Sequence, residues 1–181
     1  MFFVSKIDTK APEQFHTGLQ EKVYQTLQEL QIPFARVDTD EAITMEDCVQ
    51  INAKLDMKMV KTLFLCNRQQ TAFYLFITSG DKPFRAKDFS AALDIARVSF
   101  APAELMEQKL GTKIGAATVF SALLDTENAV QIVFDRDVLS EEWYGCSDGT
   151  TTGYMKVKTD QILHRFLLYT KHAPSLLRYD L

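Results

Sequence analysis

Lys61 is the residue whose surroundings most invite a chemical reading. It stands between Val60 and Thr62 in the apolar run MVKTLFL, 59–65. Strand alternation puts Lys61, Leu63 and Leu65 on one face and Val60, Thr62 and Phe64 on the other. A lysine ammonium is seldom buried unless it is paired or serves a cleft. Two readings follow. The stem can cover apolar surface while the head reaches water. Alternatively the ammonium points into a pocket, where it can hold a carboxylate, a phosphate or a polarised carbonyl.

Two other stretches have the composition of a site. In GTKIGAATVFSAL, 111–123, Gly111 and Gly115 permit positive φ or close backbone approach. Gly111 suits a helix C-cap. Gly115 is left to present backbone groups to a ligand, with Ala116, Ala117 and Val119 beside it. Neither Walker A nor the dinucleotide glycine pattern is matched. The second stretch is GCSDGTTT, 145–152. Turn chemistry alone accounts for it. On the other reading Gly145, Cys146, Ser147, Asp148, Thr151 and Thr152 line a pocket. Cys146 is a nucleophile candidate with no histidine near it in sequence. His16, His164 and His172 lie far apart and no Cys-x-x-Cys occurs. No metal site and no cofactor is therefore expected, and no serine elbow or triad can be read.

The elements that must position these residues follow from periodicity. Leu19, Val23, Leu27 and Leu30 recur at helical spacing, and Phe34 to Val37 reads as a short strand. Thr44 with Asp47 resembles a capping box and starts a helix at Met45. The runs 59–65 and 71–78 read as a hairpin. A helix is expected over 86–95 with Phe89, Ala92 and Ile95 inward, then a strand over 97–100. Pro102 suits the first turn of a helix over 103–110. Strands follow at 129–134 and 154–157, with 146–153 as loop. Thr159 caps a helix bearing Ile162, Leu163, Phe166 and Leu167. The tail HAPSLLRYDL adds an extended segment, and residues 1–12 form a loosely held lead-in. Interleaved helices and hairpins predict an α+β fold in one domain over 1–181, with 1–18 leading in.

The chain has 181 residues, enough for one sizeable core, and 13 phenylalanines to fill it. The net charge of −4 and the lack of a long basic block argue against a protein that coats DNA. No stretch approaches the roughly 20 apolar residues of a membrane span. Three widely spaced cysteines, Cys48, Cys66 and Cys146, are no disulfide framework. A reducing, cytoplasmic location is expected.

From Val23 onward the chain resembles the YbaK/ProX family, the free-standing relatives of the editing domain of bacterial prolyl-tRNA synthetases. The segments that carry the resemblance are IPFARVDTDEAITMED, VKTLFLCNRQQTAFYLFITSGDK, SFAPAELMEQKLGTKIGAATVFSALLD, AVQIVFDRDVL and HAPSLLRYDL, in family order. The resemblance implies a central mixed, partly barrel-like sheet flanked by helices. It also implies trans-editing hydrolysis of misacylated tRNA, with alanine on proline tRNA as the default substrate. The implied partners are a tRNA acceptor end carrying a small amino acid and an aminoacyl-tRNA synthetase, with working alone or docking on the synthetase left open. Lys61 matches the family's functional lysine, and Gly115 the glycine opening its Gly-x-x-x-Pro loop. The expected proline is Val119, and a glycine often found two residues later is Ser121. In the family's Gly-Cys-His-Pro-like stretch, Gly145 and Cys146 match, while Ser147 and Asp148 replace histidine and proline. Thr151 replaces an asparagine and Thr152 matches. These departures leave open a non-catalytic RNA- or nucleotide-binding member, or a small ester or amide hydrolase using Cys146.

Overall fold

The computed structural model describes residues 1–42 and 44–179. Helix α1 (Gly18–Glu29) starts where Thr17 Oγ1 accepts the Gln20 amide at 3.0 Å, and it buries Leu19, Val23 and Leu27. Helix α2 (Met45–Leu55) carries the complete capping box of Thr44 and Asp47. Ile51 and Leu55 face the core, while Val49 is exposed.

Among the described residues, eight strands form two sheets. A mixed five-stranded sheet contains β2 (Val60–Cys66), β3 (Phe73–Ser79), β4 (Ser99–Phe100), β5 (Val130–Asp135) and β8 (Ser175–Leu177), in the order β4-β2-β3-β5-β8. The expected hairpin is β2–β3, antiparallel, with Lys61 opposite Thr78. Strand β5 runs parallel to β3, and β8 parallel to β5. A second, antiparallel sheet orders β1 (Phe34–Asp38), β7 (Gly153–Lys158) and β6 (Trp143–Ser147) as β1-β7-β6. A parallel bridge between Met59 and Gly145 joins it to the start of β2. A side chain at Gly145 would collide there with Met57 Sδ, at 2.5 Å from an added Cβ. Helices α3 (Ala86–Leu93), α4 (Ala103–Leu110) and α5 (Arg136–Leu139), together with α1 and α2, flank the sheets. The main core lies under α1, with Phe120, Phe134 and Phe166 at its centre.

Several expectations need correction. Cys146 and Ser147 belong to β6 and Gly153 to β7, so the loop is only 148–152. Backbone pairing of Cys146 with Met155 and Ser147 with Tyr154 outweighs weak local strand propensity. Ala92 faces solvent; α3 is shorter than expected and points Phe89 inward. Pro102 sits at the N-cap of α4 rather than in its first turn. The connection after Gly111 contains a 3₁₀ helix, Val119–Leu123. Thr159 is the first residue of α6 (Thr159–Gln161), and its hydroxyl donates to the Glu141 carbonyl instead of capping. A π-helical stretch, Ile162–Phe166, follows α6 and runs into α7 (Leu167–Tyr169).

The lead-in is not loose. Ser5 N donates to Asp38 O, and Asp8 and Arg36 exchange both backbone bonds. The Arg36 guanidinium, 7% exposed, reaches Asp8, Asp38 and the Lys10 carbonyl. Residues 3–8 thus lie along the outer edge of β1. The end of the HAPSLLRYDL segment, Asp180 and Leu181, is outside the described residues.

Candidate functional site

A cleft of about 820 Å³ opens between the two sheets. One wall is β2 and the turn after β3, with Lys61, Thr62 and Lys82. Opposite lie Trp143, Cys146 and Ser147 of β6 and the Gly115 loop, while Met45, Val49 and Asn52 of α2 flank the opening. Of the residues singled out by sequence, Lys61, Gly115, Ala117, Cys146 and Ser147 line this one space. Ala116, Val119, Gly145, Asp148, Thr151 and Thr152 are not on its walls.

Those six have other surroundings. Val119 is fully buried in the main core, and Ala116 is buried beside it in the loop. Asp148 is 1% exposed and accepts four hydrogen bonds. Its Oδ2 receives Gln20 Nε2 at 3.0 Å and Tyr24 OH at 2.8 Å. Its Oδ1 receives Thr150 Oγ1 at 2.7 Å and Thr150 N at 3.2 Å. The carboxylate thereby pins the β6–β7 turn to α1. Burial and the Asp148 charge push the Tyr24 phenol far up, so it remains a donor. The Thr151 and Thr152 carbonyls accept from Ala42 N and Thr39 N, tying the turn to the strand region after β1.

Ser147 joins the two loops. Its hydroxyl lies 2.9 Å from the Thr150 carbonyl and 3.3 Å from the Ala116 carbonyl, and accepts the Gly149 amide at 2.9 Å. Thr118 Oγ1 donates to Ser147 O at 2.8 Å. Gly115 itself, at φ +91°, is exposed, and an added Cβ would meet nothing. Its backbone conformation, not lack of space, is what favours glycine there. Cys146 is 2% exposed. Burial first, and the Asp148 charge second, push its thiol far above the ordinary range. That shift disfavours the thiolate on which a cysteine nucleophile depends.

Lys61 Nζ donates to the backbone carbonyl of Lys82. The Lys82 ammonium in turn meets Asp135 Oδ2 at 2.8 Å, Asp137 Oδ2 at 2.7 Å and Tyr179 O at 2.8 Å. Burial works against the Lys82 charge, yet hydrogen bonds to Asp135 and Asp137 prevail and raise its pKa. The Lys82 hydrogen bond and charge depress Asp137. Lys58 pairs with Glu141 at 3.2 Å. Among the described residues, Lys61 is therefore the cleft lysine with no carboxylate partner. Lys82 was missed by sequence reasoning, because a lysine in the turn sequence SGDKP carries no periodic signal. Among the described residues no three His, Cys, Asp or Glu side chains gather to hold a metal ion.

Comparison with known proteins agrees with this architecture. A family model described as the aminoacyl-tRNA editing domain matches residues 39–164, more than half of the chain. The chain belongs to this family, the YbaK/ProX-like trans-editing domains, a superfamily of tRNA-associated hydrolases. It is 26% identical over 164 residues to the zebrafish (Danio rerio) prolyl-tRNA synthetase associated domain-containing protein 1, covering 90% of this chain and 88% of the relative. It is 26% identical over 120 residues to the prolyl-tRNA editing protein ProX of Acetoanaerobium sticklandii, covering 66% and 73%. A solved structure described as a candidate trans-editing enzyme for prolyl tRNA synthetase superposes with a TM-score of 0.64 at 16% identity, covering 92% of this chain and all of that one. A scaffold used for computational epitope grafting gives 0.66 at 16% identity, over 91% and 99%. These two likenesses concern the fold.

Proposed function

We propose that the cleft hydrolyses, in trans, the ester joining a small amino acid to tRNA, with alanine on proline tRNA as the leading substrate. The observation that carries this is the Lys61 ammonium, which reaches the cleft without a carboxylate to neutralise it. A lysine has three N–H donors. One is given to the Lys82 carbonyl, and two remain for a phosphate or the aminoacyl end. Water attacks the ester carbonyl, the acyl–oxygen bond breaks, and the proton goes to the leaving ribose hydroxyl. The products are the free amino acid and uncharged tRNA. Backbone donors of the Gly115 loop, which lines the cleft, would stabilise the developing oxyanion. Size exclusion by the cleft walls supplies the selectivity. The names of the zebrafish and Acetoanaerobium relatives support proline tRNA and a link to its synthetase. The same reading puts the protein in the cytoplasm, where charged tRNA is found.

A second reading has one observation in its favour: among the described residues no imidazole lines the cleft. It describes a binder of the charged tRNA end that has lost turnover. The deciding experiment mixes purified protein with proline tRNA charged with alanine, serine, cysteine or proline. Alanine is expected to be released fastest, and Lys61→Ala to lower kcat/KM by at least about tenfold, the effect of losing a charged positioning contact. Tight binding with no turnover of any charged tRNA favours the binder and overturns the deacylase.

A further inference from the structure

We propose that Lys82 is a positioning residue for Lys61: its side chain clamps the turn after β3, so that the turn's carbonyl aims the Lys61 ammonium into the cleft. The inference rests on the deacylase reading for its consequence in catalysis, but not for its geometry.

Lys61 lies on β2 opposite Thr78 of β3. A lysine stem has four rotatable bonds, and only an acceptor at a fixed place confines its head. That acceptor is the main-chain oxygen of Lys82. The oxygen is only as fixed as its turn, and the turn is fastened from both ends. Lys82 N donates to Ser79 O at 3.1 Å, closing the turn on β3. Lys82 Nζ then crosses to three oxygens on three other segments. Asp135 and Asp137 stand at the junction of β5 and α5, and Tyr179 O follows β8.

Asp135 is held in its own right. Thr78 Oγ1 donates to its Oδ2 at 2.7 Å, and its Oδ1 caps α5 by accepting Asp137 N at 3.1 Å. Tyr179 fastens the far side of the turn. Its hydroxyl accepts Arg85 N at 2.7 Å and lies 3.3 Å from the Pro83 carbonyl, while its ring packs edge-on against Phe76. One side chain, Lys82, thus links β3, β5 and the segment after β8 at the point where Lys61 is aimed. A surface lysine forming one ion pair would fix little. This one is only 19% exposed and makes three oxygen contacts.

The test reads Lys61 directly. Wild type, Lys82→Met, Lys82→Arg and Tyr179→Phe are treated with limiting acetic anhydride. Acylation at Lys61 is followed by peptide mass spectrometry, with exposed Lys54 as the internal reference. The same proteins are assayed on alanyl-tRNA, and Lys82→Met also in a Lys61→Ala background. Lys61 acylation should rise about fivefold in Lys82→Met, the factor an ordinary hydrogen bond withholds from the reactive free amine. It should rise less in Tyr179→Phe and return towards wild type in Lys82→Arg. Deacylation should fall about tenfold in Lys82→Met, with no further loss where Lys61 is already Ala. Unchanged Lys61 acylation in a folded Lys82→Met protein overturns the inference. So does an equal cost of Lys82→Met in both backgrounds. If Lys82→Met does not fold, unchanged acylation in Tyr179→Phe overturns it. Absence of turnover in the wild type sinks the deacylase reading instead, and the acylation rates still decide whether Lys82 aims Lys61.

Discussion

Replacing Asp148 by Asn separates a structural carboxylate from a catalytic one. All four of its hydrogen bonds are accepted, and each oxygen faces one N–H that cannot become an acceptor in place: Gln20 Nε2 at Oδ2 and Thr150 N at Oδ1. The new amide group must oppose one of them. Gln20 cannot turn over freely, because its Oε1 accepts the His16 amide at 2.7 Å. Hydrogen bonds to a charged group contribute about 1.5–3 kcal/mol each, and neutral ones about 0.5–1.5 kcal/mol. One bond is lost and three are downgraded. The neutral side chain is cheaper to bury, which offsets part of this. The net cost is about 2–4 kcal/mol. Urea unfolding followed by tryptophan fluorescence should show a midpoint lowered by about 1–2 M at unchanged slope. Hydrolysis per folded molecule should stay within about twofold of wild type, since Asp148 does not line the cleft. A midpoint shift equivalent to less than about 0.5 kcal/mol, combined with lost turnover, would refute this account.

Other perturbations have equally definite outcomes. Gly153→Ala places a Cβ 2.7 Å from Asp148 Cγ and should destabilise the fold by about 2 kcal/mol or more, read by thermal unfolding. Burial opposes ionisation of Asp125, but His172 and the Val130 and Ala129 amides outweigh it and depress the pKa. Its stabilising contribution is complete above the ordinary carboxylate range and is lost as pH falls through the depressed folded value. Wild-type urea stability should therefore drop below about pH 4, and Asp125→Asn should flatten that acid limb. A thiol reagent should modify half-buried Cys48 in the native protein and reach Cys66 and Cys146 only on unfolding. Cys146→Ala should retain hydrolysis, and near-total loss would restore the covalent mechanism.

The fold was legible wherever local signals agreed with tertiary packing. The four-residue leucine and valine spacing of α1, the Thr44–Asp47 box and the β2–β3 hairpin are examples. Strand β6 was hidden because Gly145, Cys146 and Ser147 are small, and small residues look like turn. Their strand state comes from β7 alongside and from Met57 packed against Gly145. The segment before α1 looked loose because its anchor, Arg36, lies far downstream. The site was half legible. Lys61 stood out as a charge among apolar neighbours, but nothing local reveals that its acceptor is a backbone oxygen 21 residues on. The resemblance drew attention to Val119 and Asp148. Both are departures from the family pattern and both lie off the cleft walls: Val119 is in the main core and Asp148 is bonded to Gln20 and Tyr24 of α1.

The bonds between residues 3–8 and the outer side of β1 have a further consequence. An unpaired strand edge is a template on which another chain can add a strand. Here β1 is paired on one side by β7 and shielded on the other by the Ser5 and Asp8 bonds. The opposite margin of that sheet, β6, abuts β2 at the Met59–Gly145 bridge. The five-stranded sheet ends in β4, of two residues, and β8, of three. The lead-in thus acts as a guard strip on the outer side of β1, where another chain would otherwise add a strand.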